Sequence, residues 1–273
     1  MDVFGFNAFS PAEITARIET VGVTKARLPL GSMLMLSVLA GAFIGLGALY
    51  YVLVRSDPGL GFAARQVLGG AVFSLGLFMV VVAGAELFTG NNLLVMAWAA
   101  KKITTRELLR SWIIVLAGNL VGALGLAVLV VLSGHPDANQ GAVAAQYLTI
   151  AAAKTNLPFA QAFFSGLLCN SLVCIGIWMA IAGRSVTDKA VALLFPISAF
   201  VAAGFEHSVA NMYLIPVAML IQLTSGHAGT EPILLGGFLS NLFPVILGNL
   251  TGGSLFVGGV FHVIYRRTGL IGD

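Results

Sequence analysis

The chain has 273 residues, of which 58% are hydrophobic and only 9% are charged, and its mean hydropathy is +0.97. Soluble proteins carry charge on about a quarter of their residues, so this composition excludes an ordinary soluble domain and predicts an integral membrane protein that crosses the bilayer several times. The net charge of +3 does not indicate a nucleic-acid-binding protein, because the basic residues form short clusters between apolar blocks.

Residues 1–29 are predicted to form an amphipathic N-terminal helix on the cytoplasmic side. They carry charges along their length and lack the apolar core of a secretory signal. The stretch from Ser10 to Glu13 has the pattern of a capping box with proline at the first helical position. Ile14, Ile18 and Val21 then share one side of the helix, which suits a membrane surface or packing on a neighbouring subunit.

The second apolar segment has a length that fits neither one membrane span nor two. After a first span at about residues 30–54, residues 68–100 would measure about 50 Å as one helix, against a hydrocarbon core of about 30 Å. Glu86 and Asn91 lie near the middle of this segment. We therefore expect a helix broken at mid-membrane, with its loop buried in protein.

The rest of the chain divides in a similar way. A third span ends the first repeat, residues 30–133, and an extracytoplasmic connecting loop covers residues 134–157. The second repeat, residues 158–265, holds a fourth span, a fifth that is interrupted at Glu206-His207-Ser208, and a sixth. The predicted limits are 107–133, 158–182, 190–224 and 234–265 for the third to sixth spans, and 266–273 for a cytoplasmic tail.

Two sequence signatures recur in the same order in the two halves. The pattern Ala-Gly-x-Glu-x-x-x-x-Asn occurs at residues 83–91 and 203–211, and Gly-Asn-Leu-x-Gly occurs at 118–122 and 248–252. This indicates an internal repeat. Because each half has three spans, the second half is inverted in the membrane. The predicted fold class is an all-α integral membrane protein with six transmembrane helices in an inverted 3+3 repeat, the second and fifth helices being broken at mid-membrane, where the substrate path lies.

The distribution of lysine and arginine predicts the orientation. Of the 14 basic residues, all but Arg55, Arg65 and Lys154 fall in segments on one side of the membrane. By the positive-inside rule, both termini are expected in the cytoplasm.

The two breaks carry the candidate functional residues. Half-helices that start near Asn91 and Asn211 would direct N–H groups and partial positive charge to the midplane, which favours a small anion. His207 lies deep in a span and is able to hold or pass a proton, or to satisfy backbone groups freed at the break. Glu86 and Glu206 would repel an anion, so we expect them to accept hydrogen bonds from the broken backbone or to fix His207.

Large apolar side chains near the breaks are candidates for narrow constrictions along the path. Considered alone, each is more often explained as core or lipid-facing bulk. A constriction of this kind would pass a neutral acid far more easily than an ion, because stripping water from an ion costs many kcal/mol. These residues are Phe73, Leu77, Leu87, Phe88 and Phe200.

Six segments of the sequence closely resemble the formate/nitrite transporter family, at residues 69–77, 83–91, 166–180, 183–190, 200–212 and 247–253. The resemblance implies a homopentamer with an aquaporin-like fold and a pore in each protomer. It also implies an outer constriction at Phe73 and Phe200 and an inner slit at Leu77, Leu87 and Phe88. The family's substrate-pathway residues fall on Thr89, Asn170, His207 and the vestibule lysine Lys154.

The resemblance predicts a bacterial inner-membrane channel for small monovalent anions. Residues 183–190 and 200–216 look like the formate branch, whereas residues 83–91 and 151–158 look more like the nitrite branch, so we expect formate, with nitrite, hydrosulfide or a short monocarboxylate as the alternative. An obligatory proton symporter is a further alternative.

An intramembrane hydrolase is disfavoured because Ser208 and His207, as neighbours on a helix, point in different directions. No cofactor or metal is expected, and Cys169 and Cys174 suit small core residues.

Overall fold

The computed structural model describes residues 7–225 and 231–267; the first six residues and the predicted tail beyond residue 267 lie outside it. The described residues are almost entirely helical. A 3₁₀ turn, Gly90–Leu94, precedes α4, and α10 continues through π-type and α-helical turns to Arg267. The α-helices are α1 Pro11–Ala26, α2 Leu30–Arg55, α3 Phe62–Ala83, α4 Val95–Ala99, α5 Thr105–Leu132, α6 Ala142–Thr155, α7 Phe159–Ala182, α8 Val186–Ala202, α9 Ser208–Ser225 and α10 Leu235–Leu250.

Five of the described helices are long and apolar enough to cross a membrane: α2, α3, α5, α7 and the segment Leu235–Arg266 that begins with α10. The fifth predicted span is formed by two shorter helices, α8 and α9. The second span consists of α3 followed, after a break, by the 3₁₀ turn and α4. The predicted all-α fold of six spans, with the second and fifth broken, is confirmed.

Both breaks have the same backbone geometry. Gly84 and Gly204, which stand 120 residues apart, end α3 and α8 with φ of 72° and 75°. In each case the next N–H reaches back to the helix, from Ala85 to the Val80 carbonyl at 2.9 Å and from Phe205 to the Phe200 carbonyl at 3.0 Å. A left-handed residue at this position is how glycine ends a helix and turns the chain.

The second signature, Gly-Asn-Leu-x-Gly, allows helices to pack with their backbones in contact. A Cβ atom added to Gly122 of α5 would overlap the Val38 carbonyl of α2, and one added to Gly252 would overlap the Leu167 carbonyl of α7. Small residues permit this close approach in membranes, where packing rather than hydrophobicity holds helices together. Thus α5 packs on α2 in the first repeat, and α10 packs on α7 in the second.

Helix α1 follows the predicted capping box. The Glu13 N–H donates to Ser10 Oγ at 3.3 Å, and the Ser10 N–H donates to Glu13 Oε2 at 2.8 Å. Two residues of the predicted apolar side, Ile14 and Ile18, pack inside the protomer in a cluster with Trp178. Val21, the third, is 45% exposed, so α1 as described buries this side only in part.

The segment predicted as a connecting loop, residues 134–157, is largely helical. Helix α6 occupies most of it and packs against α9, and the hydroxyl groups of the buried Tyr147 and Tyr213 lie 2.7 Å apart. The physical reason for the difference is composition, because this stretch is rich in alanine, the strongest helix former.

Candidate substrate pathway

Two asparagines hold the broken helices in place. In the first repeat, Asn119 Oδ1 accepts the Phe88 N–H at 2.8 Å, and its Nδ2 donates to the carbonyls of Ser37 and Glu86. In the second, Asn249 Oδ1 accepts the Ser208 N–H at 2.9 Å, and its Nδ2 donates to the carbonyls of Gly166 and Glu206. Each asparagine thus ties the loop to a neighbouring span and satisfies polar groups that have no water to bond.

The two glutamates of the first signature make matching ion pairs. Glu86 Oε1 lies 2.9 Å from Lys25 Nζ, and Glu86 Oε2 accepts a hydrogen bond from Asn91 Nδ2 at 2.7 Å. The carboxylate partners are therefore side chains, whereas the sequence suggested backbone N–H groups or His207.

The second glutamate repeats this arrangement. Glu206 Oε1 lies 2.7 Å from Lys154 Nζ, and Glu206 Oε2 accepts from Asn211 Nδ2 at 2.6 Å and from Asn241 Nδ2 at 3.2 Å. Both glutamate side chains are buried. The resemblance placed Lys154 in the outer vestibule, but its side chain is only 15% exposed. Its ion pair with Glu206 largely compensates its charge.

The two ion pairs lie toward opposite sides of the membrane. Glu19 of α1 contacts Arg266, so the N-terminal helix and the end of the last span share one side of the membrane. Helix α5 crosses from that side to the other before α6 begins, which places Lys154 opposite Lys25.

His207 is the N-cap of α9 and bonds through both ring nitrogens. Its Nδ1 accepts the Ala210 N–H at 3.0 Å, and its Nε2 lies 3.0 Å from Thr89 Oγ1. Because an N–H points at Nδ1, the proton of the neutral ring is assigned to Nε2, which donates to Thr89. Thr89 and His207 come from different breaks, so this bond joins the two repeats at the centre of the molecule.

The Thr89 loop is held in turn by α7. Asn170 Nδ2 donates to the Thr89 carbonyl at 3.3 Å, to Asn92 Oδ1 at 2.7 Å and to the Asn249 carbonyl at 2.7 Å. Cys174 Sγ donates to the same Thr89 carbonyl at 3.4 Å. Asn170 Oδ1 is buried with no hydrogen-bond partner in the described part of the chain. Asn170 therefore fixes the loop and leaves one acceptor beside it unused.

Aromatic rings cover the histidine on one side. The Phe200 ring stacks on His207 with 5.8 Å between ring centroids, and Phe73 packs edge-on against Phe200 at 5.8 Å. Both phenylalanine rings are buried. The other predicted constriction residues, Leu77, Leu87 and Phe88, are buried in the same apolar cluster. The polar pair at the centre is thus separated from the side of Lys154 by apolar rings.

A cavity of about 980 Å³ opens on the side of the N-terminal helix. Leu87 and Asn91 line it, together with Val80, Gly84 and other residues of the first break. Its charged lining is mainly basic: Arg17, Lys25, Arg184 and Lys189, against Glu13. A concave surface with this balance raises the local concentration of anions.

The structure brings together Thr89, His207 and Phe200 by direct contact, and it places Asn170 behind the Thr89 loop.

The sequence analysis missed Lys25. It also gave no role to Asn119 and Asn249, the asparagines of the second signature. A signal for Lys25 was present, because Lys-x-x-Leu-Pro occurs at residues 25–29 and again at 154–158. Its two lysines are the ones that pair with the two glutamates.

An all-helical membrane fold with inverted repeats, whose two breaks meet at a buried polar pair, defines a protein that moves a small solute across the bilayer. The comparisons with known proteins agree. The family model described as "Formate/nitrite transporter" matches residues 12–263. The chain belongs to the formate/nitrite transporter family.

Curated relatives cover nearly the whole chain. The "Formate channel FocA" of Haemophilus influenzae is 37% identical over 273 residues, covering 96% of each chain. The "Formate channel BtFdhC" of Bacillus thuringiensis is 35% identical over 260 residues, covering 94% of this chain and 96% of its own.

Solved structures share the fold. A "Pentameric formate channel with formate bound" superposes with a TM-score of 0.80 at 35% identity, covering 86% of this chain and 97% of its own. An "FNT family ion channel" gives 0.81 at 32% identity, covering 91% and 97%.

Proposed function

We propose that this protein is a homopentameric channel for formate in a bacterial cytoplasmic membrane, with both termini in the cytoplasm. The similar proteins named formate channels and the pentameric formate channel support the substrate and the assembly. The lysine and arginine distribution supports the orientation. Nitrite is the alternative substrate, since the first break has the sequence that looks like the nitrite branch.

The bond between His207 Nε2 and Thr89 Oγ1 is the observation that carries the proposal. If Nε2 donates to Thr89, the threonine hydroxyl keeps its own hydrogen for an anion. Thr89 and His207 therefore offer a donor at a place where the two broken helices meet. The basic cavity beside Lys25 attracts the anion, and the apolar rings of Phe200 and Phe73 then oppose its passage as an ion.

Protonation lowers this barrier. A small carboxylic acid has a pKa of roughly 3.5, so at pH 7 only about one molecule in several thousand is neutral. A proton passed from Nε2 through the Thr89 hydroxyl to formate makes formic acid. The ring ends this step neutral only if it started as the imidazolium, with a second proton on Nδ1. Charging the ring therefore breaks the hydrogen bond from Ala210, which links proton transfer to the cap of α9.

The test is uptake of labelled formate and of nitrite into proteoliposomes at about pH 5 and about pH 7.5, for the wild type and for His207→Asn. Asparagine keeps a side-chain acceptor for the Ala210 N–H, as N-caps do, and removes the titratable ring. The neutral-acid fraction falls about 300-fold between these pH values. We expect wild-type formate uptake to fall much less than 300-fold over this pH range. Uptake by His207→Asn should instead fall in proportion to the fraction of formic acid that is neutral.

Equal pH dependence of the two proteins would remove His207 from proton delivery. Nitrite uptake exceeding formate uptake would make nitrite the substrate. Flux that stops when the proton gradient is collapsed, while the anion gradient remains, would identify an obligatory symporter.

A further inference from the structure

A second cavity, of about 1000 Å³, lies on the same side of the membrane as the N-terminal helix but outside the substrate pathway. It is bounded by the α4–α5 connection on one side and by the sixth span on the other. Six of its lining residues carry the argument below: Arg27, Trp98, Lys101, Lys102, Leu255 and Val263.

One end of this cavity is basic, and a single lysine there lacks a counter-charge. Arg27 pairs with Glu107 at 2.9 Å, and Lys102 pairs with Glu19 at 2.7 Å. Lys101, an exposed residue, makes no side-chain hydrogen bond or ion pair within residues 7–225 and 231–267. The acidic groups nearby are thus already paired, and the site retains positive charge for a negatively charged ligand.

The other wall is apolar and open. Leu255 is 63% exposed and Val263 is 48% exposed, and both belong to the span that ends at Arg266. Leu255 lies 11 residues before Arg266, the basic end of the same span, and so stands on the order of 10 Å deeper along the helix, a depth at which lipid chains replace water. A soluble anion would gain nothing from this wall, whereas a lipid chain would lie along it.

A tryptophan marks the boundary between the two ends. The Trp98 indole N–H donates to Thr105 Oγ1 at 3.0 Å, in the first residue of α5, and the side chain is 42% exposed. Amphipathic indole rings of this kind lie at the level of lipid headgroups. The cavity therefore passes from a basic end to an exposed apolar wall, with a tryptophan between them.

We propose that this cavity binds an anionic phospholipid, with the headgroup phosphate at Lys101 and the acyl chains along Leu255 and Val263. Basic pockets between transmembrane helices on the cytoplasmic side recognise anionic headgroups in this way. The lipid bridges the connection before α5 and the end of the sixth span, two elements that Glu19 also joins through Lys102 and Arg266.

The experiment is native mass spectrometry of the delipidated protein titrated with phosphatidylglycerol and, separately, with phosphatidylcholine of the same acyl chains. The variants are Lys101→Asn and Arg106→Asn. Asparagine tolerates the positive φ of 59° at position 101. Arg106 is an exposed residue on the same side, five positions along the chain, that does not line the cavity, so its variant matches the loss of charge.

We expect phosphatidylglycerol to bind about fivefold more weakly to Lys101→Asn, since one basic residue near a membrane surface contributes about that factor, and within twofold of wild type to Arg106→Asn. Phosphatidylcholine should bind weakly to all three proteins. Equal losses in the two variants, or equal binding of the two lipids, would overturn the proposal. So would displacement of the lipid by inorganic phosphate, which would indicate a soluble-anion site, or absence of binding because a neighbouring protomer covers the cavity.

A second measurement does not depend on the folding of a charge variant. Phosphatidylglycerol with brominated acyl chains should quench wild-type tryptophan fluorescence, and Trp98→Phe should lose most of the quenching. Quenching that is unchanged in Trp98→Phe would show that the lipid lies elsewhere.

Discussion

The Ala210 N–H that points at His207 Nδ1 makes the imidazole a structural residue as well as a polar centre. A histidine used as an N-cap starts its helix only while Nδ1 is unprotonated. The sequence offered two interpretations of His207, a proton carrier in the pathway and a group that satisfies the broken backbone. Nδ1 satisfies the broken backbone by accepting the Ala210 N–H, and Nε2 is left facing Thr89, where a proton carrier would act.

Thr89 supplies a test at this scale that leaves the cap intact. Thr89→Val removes the hydroxyl and keeps the shape, and valine is also the residue at the equivalent position of the second repeat, Val209. We expect initial formate uptake in proteoliposomes to fall about tenfold to a hundredfold, because a hydrogen bond to a charged group is worth about 1.5–3 kcal/mol.

The matched variant is Thr89→Ser, which retains the hydroxyl and should keep uptake within a few-fold of the wild type. If Thr89→Val and Thr89→Ser transport formate equally well, the hydroxyl does not contact the anion.

At the scale of single elements, the sequence predicted where the helices break because charge, asparagine and excess length coincide at residues 83–91 and 203–211. It did not predict what holds the breaks. Asn119 and Phe88 are 31 residues apart, and Lys25 and Glu86 are 61 apart, so their contacts depend on how the spans pack. Periodicity within one segment carries no information about such pairings.

Gly84 and Gly204 provide the test for the breaks. A Cβ atom at either position meets no heavy atom within 4 Å, so an alanine there is opposed only by the positive φ. We expect Gly84→Ala and Gly204→Ala each to lower the free energy of unfolding by about 1–2 kcal/mol, seen as a lower midpoint of thermal unfolding in detergent.

Gly125→Ala is the control for these variants. Gly125 also has open space around its Cβ position but lies within α5, where alanine should stabilise by roughly 0.5–1 kcal/mol. Equal effects at all three positions would mean that the left-handed turns do not limit stability.

At the scale of the whole molecule, each repeat begins earlier than the transmembrane pattern suggested. Lys25 ends α1 as Lys154 ends α6, and a proline, Pro29 or Pro158, then caps the following span. Helices α1 and α6 are thus equivalent elements, each of which delivers a lysine to the glutamate of its own repeat. Composition hid this equivalence, because α1 is charged enough to look like a surface helix, whereas the segment of α6 looked like a connection.

The docking of α1 onto the end of the last span depends on one buried carboxylate. Glu19 is fully buried, and its Oε2 lies 2.6 Å from Arg266 Nη2 and 2.7 Å from Lys102 Nζ. Burial opposes ionisation, but the hydrogen bonds and charges of Arg266 and Lys102 outweigh it and hold the pKa of Glu19 below its ordinary value of 4.5. A carboxyl group whose pKa is lowered by folding stabilises the folded state above its unfolded pKa, and this contribution is lost as the pH falls through the folded value.

Hydrogen exchange of the α1 amides, corrected for intrinsic rates, should therefore rise as the pH falls below about 4.5. Glu19→Gln should raise exchange above about pH 5, to about the level that the wild type reaches in acid, because two cations then face a neutral amide, and should remove most of the acid-induced rise. Glu13, the exposed capping-box carboxylate, is the matched control: Glu13→Gln loses one acid from the same helix but leaves the Glu19 contacts in place. If the acid-induced rise persisted in Glu19→Gln and disappeared in Glu13→Gln, the helix cap rather than the ion cluster would hold α1 against the channel.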